Sequence, residues 1–185
     1  MDPALERQMR EVLAAERFGV LVTLHGGRLH TSTIHFAETE EMELVHAIRP
    51  ATLKAQLAAG NPRVAFQVDN RGVLMESRER FTRIGFEGTL RLVPEDDPDY
   101  ESYADVFAAK LPVGRRLLAH PDIALYVLRP ALIRLAVGAA PAEDVTVTYE
   151  PDNDEATLPD GETRPADDAA WRAPQVEPRS GAPDA

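Results

Sequence analysis

Phe18-Gly19-Val20-Leu21-Val22-Thr23-Leu24-His25-Gly26-Gly27-Arg28-Leu29-His30-Thr31-Ser32-Thr33-Ile34-His35-Phe36-Ala37 reads as two strands joined by a turn. Phe18 to Leu24 is rich in the branched and aromatic side chains that suit a pleated, half-buried surface. His25-Gly26-Gly27-Arg28 supplies the glycine pair that a tight hairpin tolerates best, and Leu29 to Ala37 returns as the second strand. The result is an antiparallel pair that the rest of the chain must extend or close.

Upstream, Leu5, Met9, Val12 and Leu13 recur at helical spacing, which predicts an amphipathic helix over residues 4–16. Downstream, Glu38 to Glu41 is a turn and Met42 to Ile48 a third strand. Arg63 to Val68 alternates well enough to be a fourth, with Val64, Phe66 and Val68 on one face. Asp69-Asn70-Arg71-Gly72 closes it with strong turn chemistry. Phe81 to Val93 predicts a long fifth strand, with Gly85 and Gly88 as candidate bulges or points of close approach. Tyr100 to Lys110 has helical spacing and Leu111-Pro112 ends it. Residues 123–128 and 131–137 read as a closing strand pair separated by Arg129-Pro130, and Val145 to Tyr149 as a final strand. The expected fold class is mainly β: a six-stranded antiparallel split β-barrel of Greek-key type with short peripheral helices. Closure removes the exposed edges that a sheet of this size would otherwise present.

Composition narrows the function. The chain of 185 residues is 44% hydrophobic, enough for one real core. It has no cysteine, so disulfides, thiolate nucleophiles and cysteine metal sites are excluded and a cytoplasmic location is expected. Met1-Asp2-Pro3 opens an acidic segment unlike a signal peptide, and no apolar run is long enough to span a bilayer. The net charge of -11 argues against nucleic acid or an anionic membrane as partner. Residues 151–185 hold nine Asp/Glu, three Arg and six Pro, a net charge of -6, leaving -5 for residues 1–150. The expected division is therefore a barrel domain over 1–150 and an acidic tail over 151–185, disordered or draped on the body. Trp171 is either an anchor for that tail or a solvent-exposed aromatic.

Arg49-Pro50-Ala51-Thr52-Leu53-Lys54-Ala55-Gln56-Leu57-Ala58-Ala59-Gly60-Asn61-Pro62 predicts one short helix. Pro50 can open it, Thr52 can cap it, and Gly60-Asn61-Pro62 can end it. Its first turn carries Lys54, with Arg49 just upstream, where the unpaired N–H groups and the macrodipole favour an acid. Two readings fit these residues: a solvated surface lysine, or a terminus that receives an anion such as phosphate.

Other chemistry lacks a carrier. His25, His30 and His35 recur every five residues, but the turn separates the first from the others, and an odd spacing sends His30 and His35 to opposite faces of one strand. No metal site is expected. The nucleophile-elbow, dinucleotide-binding and Walker signatures are all absent from the sequence.

The hairpin from Val20 to Phe36 resembles the pyridoxamine 5'-phosphate oxidase-like family, the FMN-binding split β-barrels, when taken with four further pieces in order. These are Thr52-Leu53-Lys54, Asn61-Pro62-Arg63-Val64, Phe81-Thr82-Arg83-Ile84-Gly85-Phe86-Glu87-Gly88, and Arg129-Pro130 followed by Ile133-Arg134-Leu135. The resemblance runs from about Phe18 to Leu135. It implies a homodimer with FMN in a groove between subunits and a flavin-dependent oxidoreductase acting on a small molecule; the deazaflavin F420 and a non-catalytic flavin or haem carrier or sensor are the alternatives. By the same resemblance Thr52, Leu53 and Lys54 lie at the phosphate, and Ser32, Thr33 and Ile34 lie along the flavin and ribityl chain. Ala47 and Ile48 offer backbone groups, and Arg83 faces the ring. The oxidases that make pyridoxal phosphate have Ser-Arg-Lys where this chain has Thr52-Leu53-Lys54, and Arg where it has Ser32. Those differences point away from pyridoxamine-phosphate oxidation itself.

Overall fold

A computed structural model describes residues 3–138 and 145–147. Helix α1 (Pro3–Ala15) leads into the hairpin β1 (Phe18–His25) and β2 (Arg28–His35), followed by β3 (Ala37–Glu38), β4 (Leu44–Ile48), α2 (Leu53–Gly60) and β5 (Arg63–Asp69). Two 3-10 helices (Arg71–Met75 and Arg78–Arg80) precede β6 (Thr82–Val93), and then come α3 (Tyr100–Lys110), α4 (Gly114–Leu118), β7 (Ala124–Val137) and β8 (Val145–Val147). The strands form one antiparallel sheet in the order β2-β1-β5-β6-β7-β4-β3, with β8 beside β7.

The hairpin forms as its sequence dictates. Leu24 faces Leu29, His25 faces Arg28, and Gly26 and Gly27 turn the chain at φ of 56° and 76°. The expected second strand, however, breaks at Phe36. β2 pairs β1, while Ala37-Glu38 pairs Val45-Leu44 of β4. This joint curls the sheet round on itself, because one continuous stretch serves both ends of the strand order. Two contacts hold it: Phe36 N–H donates to the Arg17 carbonyl at 3.3 Å, and the His46 ring bonds the His35 carbonyl at 2.9 Å.

The expected closing pair is instead a single strand. β7 runs through Arg129-Pro130, and the register with β6 shifts between Glu87 and Gly88, so that Glu87 faces Leu132 while Gly88 faces Pro130. Ala131 is the extra residue of a bulge. The bulge explains how Leu128 and Ile133, an odd five residues apart, both reach the same core. It also explains Gly88, where a Cβ would stand 2.0 Å from the Arg129 carbonyl oxygen. Gly85 shows no such crowding, with nothing within 4 Å of a Cβ there.

The interior is filled by Leu21, Phe36, Leu44, Phe66, Phe86 and Leu128, with Met9 and Leu13 of α1 completing it. Phe66 packs edge-on to Phe36, ring centroids 5.5 Å apart, and lies 4.9 Å from the His46 ring. A second cluster lies outside the sheet, where Tyr103, Phe107 and Leu111 of α3 and its end cover Val45, Leu125 and Val127. Lys110 ties the two layers: it ion-pairs with Glu38, donates to the Leu13 carbonyl at 2.7 Å and lies 3.7 Å from the Phe36 ring centroid. Burial pushes its pKa down despite the Glu38 carboxylate. Among the described residues no helix comparable to α3 covers the outer face of β1, β2, β5 and β6, and Phe18, Leu24 and Leu29 there are exposed. Trp171 and the tail lie outside the described residues.

Candidate functional site

The helix expected over Arg49 to Pro62 is α2, trimmed to Leu53–Gly60. Thr52 occupies the N-cap position with extended backbone, and its carbonyl accepts the Gln56 N–H at 3.1 Å. Its hydroxyl does not cap. It donates backwards to the Arg49 carbonyl at 2.7 Å, closing the turn that joins β4 to the helix. The first-turn N–H groups are therefore without a side-chain cap. At the other end Asn61 is extended (φ -150°), so the helix stops without a left-handed residue, and Asn61 Oδ1 accepts the Arg63 N–H at 3.1 Å. Gly60 is needed for a different reason from the expected one: a Cβ would press on the His25 ring at 2.6 Å.

Lys54 is half-buried and has no carboxylate or hydrogen-bond acceptor among the described residues. An uncapped helix start and an uncompensated ammonium thus lie in the same turn, and both attract an anion. The residues fit a phosphate through backbone N–H groups and Lys54. Thr52 fits less directly, since its proton already serves Arg49. Leu53 is half-buried in the same turn.

The other expected residues divide between faces. On β2, Ser32 stands opposite Leu21 and Ile34 opposite Gly19, both on the inner side, while Thr33 stands opposite Val20 and is exposed on the outer side. Ile34 is 8% exposed and belongs to the core, so only its backbone is available to a ligand. The Ser32 hydroxyl is buried without a partner among the described residues. On β4, Ile48 points into the interior and Ala47 packs towards the outer cluster. Arg83 lies on the outer face beside Asp69 and Ala136. Its guanidinium reaches the Gly138 carbonyl only at 3.5 Å, stands 5.4 Å from the Phe81 ring centroid and leaves Nε buried without a partner. The structure therefore brings Thr52, Leu53 and Lys54 into one turn, follows Ala47-Ile48 directly with it, and leaves Arg83 on a different part of the surface. His30 and His35 take opposite faces, as their spacing implies.

His46 was not singled out by sequence. It is fully buried against Phe66, and burial lowers its pKa from 6.5 to about 4, partly countered by its bond to the His35 carbonyl. The neutral ring donates from Nδ1, and Nε2 has no partner among the described residues. Leu44-x-His46-x-Ile48 carried the signal, since period-two alternation puts all three on the inner side. No group of acids and histidines among the described residues could hold a metal ion. No helix among them is long and apolar enough to cross a membrane.

A curled antiparallel sheet with a buried joint and small flanking helices is a split barrel. The sequence profile of the pyridoxamine 5'-phosphate oxidase family matches residues 5–137, and the chain belongs to that family. None of the curated proteins matches it in sequence. Among solved structures it is similar to a haem-binding protein from Mycobacterium smegmatis, with a TM-score of 0.67 and 15% identity over 80% of this chain and 59% of that one. It is also similar to HutZ, the haem storage protein of Vibrio cholerae, with a TM-score of 0.61 and 20% identity over 72% and 94%. A FAD-binding protein from Mesorhizobium loti gives 0.56 and 18% identity over 71% and 90%. The present chain thus spans about three-fifths of the mycobacterial protein's length.

Proposed function

We propose that this chain is an FMN-dependent oxidoreductase that works as a homodimer on a small molecule. The observation that carries this reading is the first turn of α2, where Lys54 and uncapped N–H groups meet with no counter-charge among the described residues. Bound FMN supplies hydride chemistry, and the protein contributes binding and electrostatics. Lys54 and the backbone at 53–55 hold the phosphate. The Ser32 hydroxyl, unpartnered on β2, is the donor nearest in kind to what a ribityl chain needs. Arg83 supplies the cationic group for negative charge on the reduced ring. Because Arg83 and α2 lie on different parts of one protomer's surface, a homodimer in which one copy faces the other gives both residues a role at one ligand.

FMN titrated into the purified protein tests this by flavin fluorescence quenching. Lys54→Ala is expected to weaken binding by about 1–3 kcal/mol, as for loss of a charge-assisted hydrogen bond. Unchanged affinity sinks the phosphate assignment. A haem-binding protein without turnover is the second reading, favoured by the named ligands of two similar structures. A Soret band on haem addition, with no flavin binding, decides for it; binding of neither leaves F420 as the cofactor to titrate.

A further inference from the structure

Two of the stretches that the resemblance assigns to the flavin come from opposite ends of the strand order. Ser32, Thr33 and Ile34 lie on β2, which begins that order, while Ala47 and Ile48 end β4, which stands next to last in it. Among the described residues no ladder joins β2 to β4. What ties them is a bond from a side chain to the main chain: the His46 ring donates from Nδ1 to the His35 carbonyl at 2.9 Å. His35 directly follows Ser32-Thr33-Ile34, and His46 directly precedes Ala47-Ile48. One bond therefore braces both stretches, and the turn that carries Thr52, Leu53 and Lys54 comes straight after Ile48.

The neighbours of His46 hold its ring in that place. It is fully buried, with the Phe66 ring of β5 at 4.9 Å between centroids and Tyr126 of β7 opposite in register. The joint beyond β2 is short, since β3 meets β4 only at Ala37 with Val45 and Glu38 with Leu44, and the Phe36 N–H reaches the Arg17 carbonyl at 3.3 Å. The other titratable groups around the joint are engaged elsewhere. The His35 ring lies against Phe18 on the outer face, Lys110 ion-pairs with Glu38 over Phe36, and burial pushes the Tyr126 phenol up, so that it stays neutral. The lowered pKa of His46 comes from burial, against a smaller upward push from the His35 carbonyl.

We propose that His46 is a positioning residue for the ligand site, its bond to the His35 carbonyl setting the distance between the β2 stretch and the end of β4 with the α2 turn. The identity of the ligand rests on the flavin reading; the brace is a property of the unliganded chain. Loosening the brace lets water reach the imidazole, which then titrates at 6.5 instead of about 4. Acid therefore favours the loosened state, by roughly twentyfold between pH 7 and pH 5.

Wild type, His46→Asn and His46→Phe are compared as full chains. Asparagine keeps an N–H donor close to the place of Nδ1 and does not titrate, whereas phenylalanine fills the space without a donor. Amide hydrogen exchange at Phe36 and Thr39 reads the brace without ligand, with Phe66 and Phe86 in mid-sheet as the reference. At pH 7 His46→Phe is expected to exchange about fivefold faster at the joint, as for loss of one hydrogen bond, with the mid-sheet amides no faster. In wild type, exchange at the joint corrected for the intrinsic effect of pH is expected to rise roughly twentyfold from pH 7 to pH 5, and in His46→Asn to stay flat. Flavin fluorescence quenching at pH 7 then reads the site: His46→Phe is expected to bind FMN about fivefold more weakly, and His46→Asn to stay closer to wild type than to His46→Phe. Wild-type joint amides that exchange no faster than the mid-sheet ones overturn the proposal whether or not the variants fold. So does a rise with acid that persists in His46→Asn, or an unchanged FMN affinity in His46→Phe. If wild type binds no FMN, the flavin reading fails, and exchange at the joint alone decides whether His46 braces the two stretches.

Discussion

The barrel interior and the rim formed by α2 and the outer face treat polar groups in opposite ways. Inside, His46 is neutral, fully buried, and bonded through Nδ1 to a main-chain carbonyl at the joint that closes the sheet. Lys110 is likewise tied to a carboxylate, a carbonyl and an aromatic ring. On the rim, Lys54 and Arg83 lack carboxylate partners among the described residues; Asp69, opposite Arg83, and Glu87, on the same strand as Arg83, are taken by Arg71 and Arg134. Buried polar groups must be satisfied because desolvation is costly, and satisfying them fixes the architecture. A half-exposed cation keeps part of its hydration, so it can remain without a counter-charge at lower cost than one sealed in the interior. The contrast separates residues that hold the barrel from residues the barrel leaves without a counter-charge among the described residues.

The sharpest test on the interior side is Phe66→Ala, which removes a ring 1% exposed between Phe36 and His46. It is expected to lower unfolding free energy by about 3–5 kcal/mol in urea titration, with little relief from collapse around two other rings. A loss under 1 kcal/mol would show that the interior is looser than its packing implies.

Acid reads the same region next. The folded-state pKa of His46 is depressed from 6.5 to about 4 by burial, so the unfolded chain binds its proton first as pH falls. The stability linked to His46 is therefore complete above pH 6.5, declines between 6.5 and about 4, and is gone below that, a change of roughly 3 kcal/mol at most. In His46→Gln the slope of stability against pH across that window should flatten. An unchanged slope would break the idea that this imidazole is held neutral.

Gly88 and Gly85 sharpen the comparison within one strand. Gly88→Ala drives a Cβ into the Arg129 carbonyl and should cost about 1–3 kcal/mol, whereas Gly85→Ala meets nothing and should stay within about 0.5 kcal/mol. Thermal unfolding of the two variants side by side gives the answer. On the rim, Lys54→Ala should leave the melting temperature within about 2 °C of wild type, a change under about 0.5 kcal/mol, because no partner is lost. A large destabilisation there would place Lys54 among the architectural residues instead.

Particular residues show how far the sequence could be read. The hairpin turned at Gly26-Gly27 because only glycine accepts positive φ there without strain, and that local rule needs no tertiary knowledge. The alternation of Val64, Phe66 and Val68 and the helical spacing of Met9, Val12 and Leu13 likewise sorted core from surface correctly. Pro130 misled, since proline usually interrupts a strand. The strand continues because Gly88 opposite it lets the backbones approach and a bulge absorbs the extra residue, neither of which is visible in Arg129-Pro130 itself. Thr52 reached the N-cap position without capping, because its hydroxyl finds the Arg49 carbonyl first.

For the candidate site, the unfavourable charge at the start of α2 was legible in Lys54 alone, as a conflict between a cation and a helix dipole. That Lys54 lacks a counter-ion among the described residues, that Ile34 is core while Thr33 is exposed, and that Arg83 stands opposite Asp69 depended on which strands lie beside one another. Local rules act over a few residues, so sequence determined the elements, their faces and the family they compose. Partnership across a curled sheet joins residues far apart in the chain, so only the tertiary structure decided which polar groups are committed to the barrel and which are left without a counter-charge among the described residues.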